Sequence, residues 1–239
     1  MLNQELLAAV RNGLGERADP ARAAGAQAYL KSSTPSLGVR VTEVRRLTLA
    51  AAAAHPFESL EQLTDTVLEL WRKAAFREER YAAIDLTGLR LAAREPLMLP
   101  VYEEIIRTGA WWDLVDGVAD RLCALLQAHR PMMTAVLRSW SRDGDLWIRR
   151  ASITAQLKAK AQTDVELLGE VIEPNLADPE FFIRKAIGWS LREYAKTDPE
   201  WVRAFVADHR EELSPLSRRE ALRNLDPEPR RTTDRELTD

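Results

Sequence analysis

A repeat constrains this chain more than any single residue does. Phe76-Arg77, Trp111-Trp112, Trp147-Ile148-Arg149-Arg150-Ala151 and Phe182-Ile183-Arg184-Lys185-Ala186 each open an apolar segment. The steps from Phe76 to Trp111, from Trp112 to Trp147 and from Trp147 to Phe182 are all 35 residues. A fainter copy, Leu216-Ser217-Arg218-Arg219-Glu220-Ala221, falls one period further along. Between these segments lie others with helical spacing, over about 96–108, 131–142, 164–173 and 199–212. Two helices per unit at such a period mark an α-solenoid, in which each pair buries its apolar face against the next. No stretch alternates apolar and polar residues as a strand would. The expectation is an all-α solenoid of HEAT-like helical repeats, about six helix pairs with one concave face.

The N-terminal part reads less regularly. A short amphipathic helix over 2–11 should break at Gly13 and Gly15, and Asp19-Pro20 then reads as an N-cap with proline at the first helical position. That helix carries Ala24, Ala28 and Tyr29 and should end near Ser33. The loop Ser36-Leu37-Gly38-Val39-Arg40 leads to a helix opening at Thr42 and stopping at His55-Pro56, and another follows over about 57–73. From Asp226 onward, Pro227, Pro229 and interspersed charges predict a disordered tail over 226–239, leaving 1–225 as a single domain.

Composition excludes several classes of protein. Ten Gly in 239 residues, 46% hydrophobic and 30% charged, describe an ordered, helix-rich chain with a charged surface. The single cysteine, Cys123, sits between apolar neighbours as a small hydrophobe and allows no intrachain disulfide. His55, His129 and His209 lack ligand spacing, so no metal is expected. No apolar run is long enough for a signal peptide or membrane span, which leads to the expectation of a cytoplasmic, monomeric protein without a membrane partner. The net charge of −3 argues mildly against nucleic acid, but its distribution matters more. Residues 121–160 hold eight bases (Arg121, Arg130, Arg138, Arg142, Arg149, Arg150, Lys158, Lys160) and two acids (Asp143, Asp145), a formal +6. Placed at the starts of successive repeat helices, they would line a cationic face for a phosphate backbone.

The densest chemistry is Trp111-Trp112-Asp113-Leu114-Val115-Asp116. On a helix, Trp112 and Asp116 share one face, whereas Asp113 points elsewhere. An indole beside a carboxylate suits an electron-poor ligand, because both favour positive charge. Aligned repeat helices bring Arg150 and Trp189 towards the same concave surface; core packing for Trp189, and an ion pair with Asp116 for Arg150, are the structural alternatives. Trp71, Trp140, Trp147 and Trp201 read as packing.

Four motifs in order resemble the bacterial DNA alkylation repair family of HEAT-like-repeat alkylpurine glycosylases. They are Ala28-Tyr29-Leu30-Lys31 with Leu37-Gly38, the 111–116 stretch, Trp147–Ala151, and 181–189 with 191–196. The similarity spans roughly residues 5–215. It implies Asp116 as the catalytic carboxylate, Trp112 and Trp189 as site tryptophans, Arg150 as a DNA-contacting base and Tyr29 as a further site residue. It also implies double-stranded DNA with alkylated purines as partner, no cofactor, and a shallow face that grips the backbone without flipping the base.

The chemistry is coherent with one carboxylate. Alkylation at N3 or N7 makes the purine cationic and already a good leaving group, so a single Asp can stabilise the oxocarbenium-like sugar and place water. Glycosidases that must protonate their leaving group use two carboxylates. No lysine falls among the matched site residues, so no Schiff-base lyase step is implied. The rival readings are a non-catalytic solenoid for damaged or branched DNA and a protein–protein adaptor.

Overall fold

The computed structural model describes residues 1–225, and the tail expected over 226–239 lies outside them. The described residues form helices and turns with no strand. In chain order the helices are α1 (Gln4–Gly15), α2 (Pro20–Leu30), α3 (Val41–Ala54), α4 (Leu60–Arg72), α5 (Arg77–Leu86), α6 (Leu99–Gly109) and α7 (Trp112–Val115). Then follow α8 (Ala119–Ala128), α9 (Arg130–Trp140), α10 (Leu146–Thr154), α11 (Val165–Ile172), α12 (Phe181–Tyr194), α13 (Pro199–Asp208) and α14 (Pro215–Leu222).

Local chemistry sets most starts. Asp19, Ser59, Asp164, Asp198 and Ser214 each accept a backbone N–H of the first turn of the helix they precede. Proline follows the cap at α2, α13 and α14, where its missing N–H costs nothing. Each repeat then lays its apolar stripe on its neighbours. One row runs α3–α5–α7–α10–α12–α14, each helix packing on the next, and α4 with α6 and α9 with α11 form the second row. The core between them is continuous from Leu6 to Ala221. Trp71, Trp140 and Trp147 are buried in it, and Trp201 packs on Tyr194 and Phe205.

Two expectations fail for identifiable reasons. Helix α1 does not break at Gly13; a Cβ there would lie 2.6 Å from Leu47 Cδ1, so the glycine lets α3 approach. The Trp111-Trp112 segment does not open one long helix. It makes the single turn of α7, passes through a 3₁₀ turn over Asp116–Val118, and restarts as α8. The kink falls at Gly117, where a Cβ would come within 3.2 Å of Ile84 Cγ2 on α5.

The expected cationic face is also corrected. Arg130 pairs with Asp164, Arg138 with Glu170 and Arg149 with Asp178, at 2.8, 2.7 and 2.9 Å. Arg107 and Asp143 are joined at 2.8 Å in the same way. The carboxylates that neutralise the basic stretch come from about one repeat away, so its formal charge overstates its field. No described helix is long and apolar enough to cross a membrane.

Candidate active site

Helices α2, α3, α5, α7, α8 and α12, with the turn after α10, line a cleft of about 680 Å³. Tyr29, Trp112, Asp116 and Trp189 all line it. Each arrives there for a local reason. Trp112 begins α7, and the Asp116 N–H donates to the Trp112 carbonyl, so the four-residue spacing holds across the turn and the two side chains share a face. Trp189 follows Gly188, whose missing Cβ lets α12 close onto α14; a Cβ there would lie 2.5 Å from Glu220 Cβ and 2.9 Å from the Ser217 carbonyl. Tyr29 comes from α2 and meets Trp112 edge-on, ring centroids 6.2 Å apart.

The loop Ser36–Gly38 explains the Leu37-Gly38 motif. Gly38 has φ of +79° and backs directly onto Asp19 and Ala23 of the α2 start, where a Cβ would lie 2.2 Å from the Asp19 carbonyl. Buried Glu78 accepts from Ser36 Oγ and from the Leu37 and Gly38 N–H groups. The motif is a mount for α2, and α2 forms one wall of the cleft.

Asp116 lies at the floor. Arg150 Nε donates to its Oδ1 at 2.8 Å and Arg150 Nη2 to its Oδ2 at 2.7 Å, a bidentate pair. The remaining Nη1 donates to the Phe182 carbonyl at 2.6 Å. The Arg150 side chain is only 4% exposed, against 16% for Asp116. Burial pushes the Asp116 carboxyl above its ordinary value; Arg150 opposes that shift and Asp113 adds to it. The ion pair with Asp116 that the sequence offered for Arg150 is thus present. The guanidinium is spent on Asp116 and lies beneath the surface. Arg149, its sequence neighbour, points instead to Asp178 and to the Asp143 and Gly144 carbonyls.

Asp113 also departs from expectation, because it lines the same cleft as Asp116. It differs in being fully engaged. Arg77 Nε donates to its Oδ2 at 2.8 Å, Arg77 Nη2 to its Oδ1, and the Tyr81 hydroxyl donates to Oδ2 as well. Arg77 was not legible as a site residue, although Arg77-Glu78-Glu79 is a run of three charges, all buried, in the first turn of α5. Phe182 and Trp147, which match Trp112 at successive repeats, pack instead with Trp111 in one aromatic cluster, centroids 5.0–5.9 Å apart.

Arg40, Arg45, Arg121 and Lys158 line the cleft, and of these Arg40 and Lys158 are exposed and make no ion pair among the described residues. Arg121 is tied to the Thr87 hydroxyl and the Ile84 carbonyl, and Arg45 reaches Asp85 only at 3.9 Å. The cleft thus has exposed Arg40, Arg45 and Lys158 with one exposed acid, Asp120, along its edge, aromatic walls and Asp116 at its floor. That arrangement can hold a polyanion at the edge while favouring positive charge at the centre.

Fold and cleft together define a helical-repeat protein with one aromatic-walled, carboxylate-floored site. The family model described as DNA alkylation repair enzyme matches residues 10–225, and the chain belongs to that family. A solved structure described as a predicted DNA alkylation repair enzyme from Enterococcus faecalis is similar to it, with 28% identity and a TM-score of 0.79, covering 89% of this chain and 98% of that one. No curated protein matches the chain. Membership places the protein in alkylation repair, with DNA as its substrate.

Proposed function

We propose that the protein is a monofunctional DNA glycosylase that removes cationic N3- and N7-alkylpurines from double-stranded DNA. The observation that carries the reading is Asp116, a carboxylate open to the cleft floor on one side and clamped by buried Arg150 on the other. Removal of Arg150 would leave a desolvated acid that prefers its proton; with it, the carboxylate keeps a charge that can stabilise a cation.

In this reading the C1′–N bond breaks with its electron pair going to the cationic base, which leaves neutral. The deoxyribose becomes oxocarbenium-like and Asp116 faces it. Water then adds to C1′ and gives up a proton, leaving an abasic site. Trp112, Trp189 and Tyr29 enclose the sugar and adjoining backbone, and rim bases such as Arg40 and Lys158 neutralise phosphates. No general acid is required, and Asp113 is poorly suited to be one, because Arg77 and Tyr81 hold it as an acceptor. The reading involves a monomer, no metal or cofactor, and no flipping of the base into a pocket.

The test is substrate choice. Duplexes carrying N7-methylguanine or N3-methyladenine should lose the base, while uracil, hypoxanthine and 1,N6-ethenoadenine should stay almost untouched. Efficient release of a neutral base would require a proton donor that the proposal does not contain, and would sink it.

A further inference from the structure

Helix α2 is held in an unusual way. It forms a wall of the cleft through Ala26, Tyr29 and Leu30, yet Leu30 is its only buried residue. Tyr29 is 74% exposed. A helix with so little apolar contact is anchored by polar ties, and these converge on the first turn of α5. At the N-terminal end, the Asp19 N–H donates to the Leu37 carbonyl at 2.7 Å and Arg22 Nη1 to the Gly38 carbonyl at 2.9 Å, both within the loop that Glu78 holds. At the C-terminal end, Arg77 Nη1 donates to Ser32 Oγ at 2.9 Å and the Arg77 N–H to the Pro35 carbonyl at 2.9 Å.

The other edge of the same guanidinium grips Asp113, three residues before Asp116. Arg77 is 5% exposed, so its geometry is set by these partners and not by solvent. We propose that Arg77 is a positioning residue: it latches the Ser32 end of α2, and with it Tyr29, to the turn that carries Asp116. One planar fork thereby makes the tyrosine wall and the acid turn a single unit. A lysine has the charge without the fork and cannot hold both partners.

The inference uses the glycosylase reading only for what the unit grips; the latch itself is tested on the free protein. Hydrogen exchange of the full chain should show the amides at 27–31 exchanging roughly tenfold or more faster in Ser32→Ala. This substitution removes the bond from Arg77 together with the local bonds of Ser32 Oγ to the Thr34 N–H and carbonyl; the Arg77 variants, which keep those local bonds, isolate the latch. Ser32→Ala leaves Arg77 on Asp113. It should therefore weaken binding to an N7-methylguanine duplex severalfold, with the single-turnover rate at saturating enzyme within twofold of wild type. Arg77→Lys should fold but leave α2 unprotected, and should lower the saturated rate as well. Arg77→Met should do the same if it folds. Unchanged α2 exchange in both Ser32→Ala and Arg77→Lys would overturn the latch whatever the activity. Faster α2 exchange with duplex binding unchanged would overturn its role in positioning. A wild-type protein that releases no base would instead refute the glycosylase reading, and the exchange result would still decide the latch.

Discussion

Asp116→Asn tests the site most directly, and the structure sets two magnitudes for it. The first concerns chemistry. Removing the negative charge while keeping the shape takes away a preorganised electrostatic stabiliser, a change that costs on the order of 10²–10³ in rate. The second concerns stability. Arg150 is 3% exposed and has only Asp116 and one carbonyl to satisfy it. Breaking a buried pair by removing one partner costs about 3–5 kcal/mol, because a buried charge is left uncompensated. Asparagine retains one acceptor oxygen, so the loss should sit at or below the low end of that range. At about 2–4 °C per kcal/mol for a chain of this size, a fall in Tm of several degrees is expected. The assay is single-turnover release of N7-methylguanine at a temperature well below the lowered Tm, paired with thermal unfolding. A double variant, Asp116→Asn with Arg150→Met, separates the two effects. Removing the orphaned guanidinium should recover part of the stability and none of the activity. A folded Asp116→Asn protein that releases base within about tenfold of wild type would refute the assignment of the carboxylate.

Other consequences follow from the same geometry. Burial raises the Asp116 carboxyl above its ordinary value of 3.8, so base release should fall on acidification at a pH above that value, with no alkaline limb from an enzyme acid. The sign for stability is opposite: the contribution of Asp116 is fully present below its unfolded value and is lost as pH rises through the raised one, measurable by urea unfolding across the acid limb. Arg40→Ala and Lys158→Ala should each flatten the salt dependence of duplex binding by roughly one unit if each meets a phosphate, whereas Arg150→Met, being buried, should leave the slope unchanged while lowering base release. Gly188→Ala forces a Cβ to within 2.5 Å of Glu220 Cβ, and overpacking of that kind costs about 1–3 kcal/mol, visible as a lower Tm.

What the sequence made legible is what a repeat encodes along one dimension. The 35-residue period, the capped helix starts and the shared face of Trp112 and Asp116 need no knowledge of distant contacts. The partner of each charge does need it, and there the linear reading fell short. Arg150 was open to two readings, a phosphate contact or a partner for Asp116, and its pairing with Asp116 beneath the cleft became visible only in three dimensions. The link from Arg77 to Ser32 became visible only once α2, α5 and α7 were brought together. The basic stretch misled for the same reason, since charge summed along 40 residues ignores carboxylates supplied by the neighbouring repeat. A usable rule was nonetheless present. Arg72 with Glu104, Arg77 with Asp113, Arg107 with Asp143 and Lys185 with Glu220 are separated by 32 to 36 residues, so in a solenoid the counter-charge is best sought one period away. Once those pairs are removed, exposed Arg40 and Lys158 outnumber exposed Asp120 along the cleft's edge, and Asp116 lies at its floor. A DNA strand presents the opposite order, anionic phosphates outside and, at an alkylated purine, a positive charge within. The complementarity lies in that order of charges, which a net charge of −3 does not reveal.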